Sequence, residues 1–125
     1  AAMAAEAVIR RELKAEFEKL RGVLEGSDWF MSHEVVGSSL LIIYDGQQPP
    51  LSPPVVCMID FAHTFPVGDY GLERLSHREA WAKGNHEEGY LKGLDSLVGC
   101  FRDLATGLEA KRGTQSSASG DTSTS

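Results

Sequence analysis

One stretch constrains this chain more than any other: Val55-Val56-Cys57-Met58-Ile59-Asp60-Phe61-Ala62-His63-Thr64, an unbroken apolar run that ends on a carboxylate and shows an imidazole three residues later. Apolar residues at successive positions, ahead of a loop containing Gly and Pro, predict a short strand buried on both faces. An acid at the end of such a strand is held rigidly. A Mg²⁺ site on nucleotide phosphates needs that rigidity, because Mg²⁺ demands octahedral geometry and takes one or two protein carboxylates, with phosphate oxygens and waters completing the shell. Asp60 is therefore the first candidate for a metal-binding and nucleotide-binding residue, set against the plainer reading of an Asp that starts a turn or caps a helix.

The segments on either side fix what this strand packs with. Residues 4–25 carry Val8, Leu13, Phe17, Leu20 and Leu24 between charged residues, which predicts an amphipathic helix. Arg10, Arg11 and Lys14 then read as its solvated face. Trp29 and Phe30 anchor a short turn, and residues 35–46 read as a strand leaving through Asp45-Gly46. Four of the five prolines fall between Gln47 and Pro54, marking a loop. Strand 55–59 then pairs antiparallel with the first, which places Ser38 and Ser39 at the end nearest Asp60. Their hydroxyls either donate to phosphate and orient the acid, or satisfy backbone groups at a strand start.

Residues 64–84 show no clean period, although Leu72 to Trp81 has room for a helical turn or two. Asn85 with Glu88 reads as a capping box opening a helix whose apolar stripe is Tyr90, Leu91, Leu94, Leu97, Val98, Phe101 and Leu104. Gly89, Gly93 and Gly99 within it predict close packing against another backbone. The last residues are Gly, Ser, Thr and Ala without large apolar side chains, too little to order themselves. The expected organisation is an α+β domain over 1–105 with a disordered tail over 106–125.

With 125 residues the chain fits one domain but is small for an enzyme enclosing two substrates, and it opens on Ala1; a fragment of a longer protein is expected. A net charge of −6 and a pI near 5.1, with Lys and Arg scattered, argue against a nucleic-acid or membrane-surface binder. No window approaches the roughly 18 apolar residues of a spanning helix. Cys57 and Cys100 read as small buried hydrophobes, implying a reducing compartment, cytoplasmic or nuclear. The four histidines, His33, His63, His77 and His86, do not show zinc-ligand spacing. Phosphate loops of the Walker type and nucleophile elbows are missing, and a flexible loop separates Asp60 from Asp69, so neither those chemistries nor a glycosidase pair is indicated.

Three motifs in order, Gly37-Ser38-Ser39-Leu40-Leu41, Met58-Ile59-Asp60-Phe61-Ala62-His63-Thr64 and Gly84-Asn85-His86-Glu87-Glu88-Gly89-Tyr90-Leu91-Lys92-Gly93-Leu94, resemble the C-terminal part of the inositol polyphosphate kinase family. That family comprises the inositol-trisphosphate kinases, the multikinases and the hexakisphosphate kinases. The resemblance implies the C-terminal lobe of a two-lobed fold related to protein kinases, an antiparallel strand pair packed with helices. It also implies ATP-dependent phosphoryl transfer to an inositol polyphosphate, with Mg²⁺ as cofactor. Asp60 would hold the Mg²⁺ bridging the ATP phosphates, and Ser38 and Ser39 would lie beside the metal and nucleotide. His63 would contact a substrate phosphate, the plainer reading being a histidine that orients its loop.

Phe61-Ala62-His63-Thr64 looks like the multikinase or hexakisphosphate branch, whereas Trp81 with Gly84-Asn85 and Gly89-Tyr90-Leu91 looks like the trisphosphate kinases. The family's P-x-x-x-D-x-K-x-G signature and its ATP-binding lysine have no match here, so these residues hold one wall of an active site. The contrasting expectation is a non-catalytic remnant or interaction module built on that lobe.

Overall fold

The first amphipathic segment forms α1, Ala2–Glu25, in a computed structural model that describes residues 2–47 and 49–117. It buries Ala7, Leu13, Phe17 and Leu24, whereas Val8 is exposed. At 3.6 residues per turn Val8 lies about 180° round the helix from Phe17, so the five-residue step from Val8 to Leu13 does not belong to the stripe. A four-residue helix, α2 (Asp28–Met31), follows. Ser27 caps it by accepting the Phe30 N–H at 3.1 Å, and Phe30 and Met31 enter the core.

The strands form one long antiparallel ribbon in two parts. Strands β2 (Ser39–Ile43) and β3 (Val55–Ile59) pair from Ser39↔Ile59 to Ile43↔Val55, the hairpin expected around the proline-rich loop. Beyond it, β1 (His33–Val36) pairs with β4 (His63–Pro66), from Val36↔His63 to His33↔Pro66. The strand expected over 35–46 is thus divided at Gly37-Ser38, and His63–Pro66, read as the start of a loop, is a strand. Four residues are too few to show a period of two, and this pairing joins segments thirty residues apart.

Burial on both faces does not hold for β3. Val56 and Met58, with Leu40 of β2, pack against the core, but Val55 and Ile59, with Leu41 and Ile43 of β2, are exposed. Cys57 is half-buried, and Cys100, expected inside, is exposed. The amphipathic character of the ribbon is masked in the sequence because both faces carry apolar residues.

A 3₁₀ turn, Val67–Tyr70, leads into irregular chain where a helical turn was expected at Leu72 to Trp81. The last helix, α3, spans Tyr90–Ser117 and starts five residues after the predicted cap. Asn85 instead closes a turn, its Oδ1 accepting the N–H groups of Ala82 at 3.1 Å and Glu87 at 3.0 Å. The chain reverses at Gly89, whose φ of +76° is a conformation glycine adopts without steric cost. The first N–H groups of α3 go to Glu88 Oε1, from Tyr90 at 3.3 Å, and to the His77 carbonyl, from Lys92 at 3.1 Å. Close packing does not account for the helix glycines: a Cβ at Gly93 would meet open space, and at Gly99 only Arg102 Nη2 at 3.7 Å. Helix α3 continues to Ser117 through the first part of the expected tail; residues 118–125 lie outside the described residues.

The core lies between α1 and α3 and is closed by α2 and the inner face of the ribbon. Leu13, Phe17 and Leu24 meet Leu91, Leu94 and Val98 there, with Phe30, Met31 and Val35. Phe17 and Phe101 pack edge to face, their centroids 5.0 Å apart.

Candidate functional site

The ribbon loses register at one place. Val36 faces His63 and Ser39 faces Ile59, so Gly37 and Ser38 on one side oppose Asp60, Phe61 and Ala62 on the other. An extra residue on one strand bends a ribbon and re-aims its side chains, as in a β-bulge. Both sides pass through left-handed backbone, Gly37 at φ +71° and Asp60 at φ +70°. Asp is among the few side chains that tolerate this region.

This bend gathers the residues singled out from sequence. Ser39 is in register with the residue before Asp60, and His63 is in register with the residue before Gly37. Asp60, Ser39 and His63 are exposed and Ser38 is half-buried. The Asp60 carboxylate receives one long contact, from the Ala62 N–H at 3.5 Å. Among the described residues, the side chains of Ser38, Ser39 and His63 have no hydrogen-bond partner. Their polar atoms are thus open to a ligand, and the structure shows no hydrogen bond by which the hydroxyls cap a strand or the imidazole orients the loop.

Exposed Phe61 meets Trp29 edge to face at 6.4 Å, and Trp29 stacks on His33 at 4.3 Å. Aromatic contact with α2 thereby braces the bend from below. Among the described residues no group of three or more His, Cys, Asp or Glu side chains is arranged to hold a metal, so Asp60 stands as a single carboxylate. That does not suit an all-protein cage. It fits Mg²⁺, which is commonly held by one or two carboxylates together with phosphate oxygens and water.

Behind the bend lies a polar cluster that residue spacing does not reveal. His77 is 0% exposed, its ring stacked on Phe30 at 4.1 Å. Its Nε2–H donates to the Phe30 carbonyl at 2.8 Å, and its Nδ1 meets Glu88 Oε1, so one proton is held between ring and carboxyl. The other oxygen, Glu88 Oε2, accepts the Val35 N–H at 3.0 Å. Next to it, Glu87 is buried and accepts from the Ser76 hydroxyl at 2.8 Å and the Ser76 N–H at 2.9 Å. Desolvation pushes the Glu87 carboxyl upward, but these hydrogen bonds, with further help from the Glu79 N–H and His77, hold it below the ordinary range. On the other side of β1, His86 Nδ1 lies 2.9 Å from Glu34 Oε2, with the ring stacked on Tyr70 at 3.8 Å. The sequence signal was the acid pair Glu87-Glu88 at the mouth of an apolar helix, which a capping box explains too readily.

A cleft of about 560 Å³ beside the irregular loop is lined by Met31, Arg74, Ser76, Arg78 and Glu87 among others. It includes none of the four residues at the bend. Its Arg78 is engaged with Asp95 at 2.8 Å and Glu25 at 2.8 Å, and its Arg74 makes a looser, exposed contact with Asp28 at 3.7 Å.

Comparison with known proteins supplies the kinship. Residues 2–102 match the family model described as inositol polyphosphate kinase. The chain is 44% identical over 98 residues to mouse inositol-trisphosphate 3-kinase A, covering 78% of this chain and 20% of that protein. It is 42% identical over 97 residues to the inositol-trisphosphate 3-kinase homolog of Caenorhabditis elegans, covering 77% of this chain and 18% of the relative. Human inositol hexakisphosphate kinase 3 is 30% identical over 123 residues, with 79% of this chain and 28% of that protein covered. The chain thus spans between about a tenth and a fifth of the length of the curated trisphosphate kinases it matches. With a family model matched across its helices and both halves of the ribbon, this chain belongs to the inositol polyphosphate kinase family.

Proposed function

We propose that this chain forms part of an ATP-dependent kinase that transfers a γ-phosphoryl group to a hydroxyl of an inositol polyphosphate, and that the bend in the ribbon is its metal and phosphate corner. The observation that carries this reading is the register break. It puts an exposed, weakly bonded carboxylate beside two serines and a histidine whose polar atoms have no partner among the described residues. The higher identity to trisphosphate kinases than to the hexakisphosphate kinase favours an inositol trisphosphate as acceptor.

In this reading Asp60 would hold Mg²⁺, which when bound neutralises charge on the phosphates of ATP. Ser38 and Ser39 donate hydroxyl hydrogen bonds to phosphate oxygens on the nucleotide side. His63 presents an imidazole N–H to a phosphate of the inositol ring, and its partner Val36 lies two residues before Ser38 and three before Ser39. Phosphoryl transfer is accelerated chiefly by positioning and charge stabilisation, so a rigid bend is the contribution this segment can make. Its relation to the two-lobed kinases is that of a C-terminal lobe, with the groups that clamp the nucleotide from the other side supplied by sequence not present in these residues.

The test is transfer of labelled phosphate from ATP to a panel of inositol phosphates, using this chain and the longest natural polypeptide that contains it, each beside Asp60→Asn. Activity in the longer wild type that falls at least ~10²-fold in the variant supports the reading. Silence from both wild types overturns it and leaves an interaction module.

A further inference from the structure

We propose that His77 and Glu88 are positioning residues for the metal and phosphate corner: with His77 buried and Glu88 half-buried behind β1, they set the strand that leads into Gly37-Ser38 and faces His63. The inference rests on the kinase reading for its catalytic consequence, but its geometric part stands without it. At Val35 the backbone N–H points away from β4 and donates to Glu88 Oε2 at 3.0 Å, so the carboxylate takes the place that a neighbouring strand would fill. Val35 is two residues ahead of Gly37, where the register breaks, and Val36 between them pairs with His63. A shift of β1 is therefore passed to both sides of the corner.

Glu88 in turn is fixed from behind. Its Oε1 meets His77 Nδ1 and accepts the Tyr90 N–H, while His77 is anchored through Nε2 to the Phe30 carbonyl and by its ring to the Phe30 face. The His77 carbonyl takes the Lys92 N–H at 3.1 Å. Helix α2, strand β1 and the start of α3 thus converge on one pair. His77 also sits at φ +58°, a backbone that a non-glycine residue keeps only where its surroundings impose it, and such outliers gather at functional sites. An ionisable pair whose imidazole is fully buried adds little to stability alone, since apolar residues of similar volume do as well or better. Fixing a strand in one place is the role that such a pair fills best.

Two measurements test this, on Glu88→Gln and on His77→Phe, the second of which keeps the stacked ring and removes both hydrogen bonds. In this chain, amide exchange at Val35, Val36, Ser39 and His63 is expected to quicken about tenfold or more, with Phe17 and Leu94 in the core unchanged. In the longest natural polypeptide containing the chain, the KM for Mg·ATP is expected to rise about five- to tenfold beyond any change in kcat. A purely structural role would lower kcat with the folded fraction and leave KM alone. Unchanged exchange at the corner, or uniform quickening across the core, overturns the proposal, as does an unchanged KM. A wild type that transfers no phosphate counts against the kinase reading, and the exchange experiment then decides the positioning by itself.

Discussion

Asp60 holds a left-handed backbone that costs a typical L-residue about 1–2 kcal/mol, yet Asp and Asn accept it more readily than other side chains because they hydrogen-bond locally. Asp60→Asn therefore removes the charge while leaving the bend folded, which makes it a fair control for chemistry. A different residue carries a stability prediction. The Tyr90 hydroxyl is buried without a hydrogen-bond partner, and burial pushes its phenol from the ordinary 10.0 up to about 12. Because the folded value is raised, the neutral phenol favours the folded state up to pH 10 and that contribution is lost as pH rises through about 12. Tyr90→Phe removes an unsatisfied polar atom, so denaturant unfolding is expected to show a gain of about 1 kcal/mol. A loss of similar size would mean that the hydroxyl is satisfied after all.

Among the elements, α3 and its ties to α1 decide how firmly the ribbon is backed. Gly93 is inside the helix with open space where a Cβ would be, so Gly93→Ala is expected to stabilise by about 1 kcal/mol in thermal unfolding; destabilisation would show that the site is more crowded than it stands here. Asp95 of α3 receives Arg78 Nε at 2.8 Å and Arg21 Nη1 at 3.0 Å. The Arg78 hydrogen bonds chiefly, opposed by desolvation and aided by Arg21, hold its carboxyl below the ordinary 3.8. A depressed carboxylate contributes stability that is complete above 3.8 and is lost as pH falls through the lower folded value. Since Asp95 is 38% exposed, the network is partly screened, and Asp95→Asn is expected to cost about 1 kcal/mol at neutral pH. The same variant flattens the acid limb of the stability profile, and an unaltered limb would contradict the assignment.

Elements with a local signature were legible in the sequence and those without one were not. Helix α1 and the β2–β3 hairpin follow from periodicity and a proline-rich turn. The short pair β1–β4 does not, because His63–Pro66 owes its strand form to a partner thirty residues away. At the candidate site the apolar run ending on a carboxylate supplied Asp60, the expected hairpin placed Ser38 and Ser39 beside it, and resemblance supplied the role of His63, while the bend that joins them is a register effect visible only once both strands are paired. His77 and Glu88 lay hidden for the same reason: Glu88 reads locally as a cap, and its actual acceptor role is played to a strand 53 residues away.

At the scale of the whole chain, one side of the molecule is finished and the other is open. Phe17, Phe30, Leu91 and His77 fill a closed core, whereas Leu41, Ile43, Val55 and Ile59 leave the outer face of the ribbon apolar and exposed, next to the corner that bears Asp60. A segment spanning between about a tenth and a fifth of the length of the trisphosphate kinases it matches and presenting one edge of chemistry is the arrangement expected of one wall of a larger site. The central claim is that this corner receives a metal-bound nucleotide, and binding reports on it without requiring turnover. Titrating the chain with Mn·ATP while following its backbone amide resonances is the direct measurement. Paramagnetic broadening confined to Ser38, Ser39 and residues 60–63, and abolished by Asp60→Asn, is the predicted result; broadening centred on Glu79, Glu87 and the cleft beside Arg78, or equally strong in the variant, would contradict it.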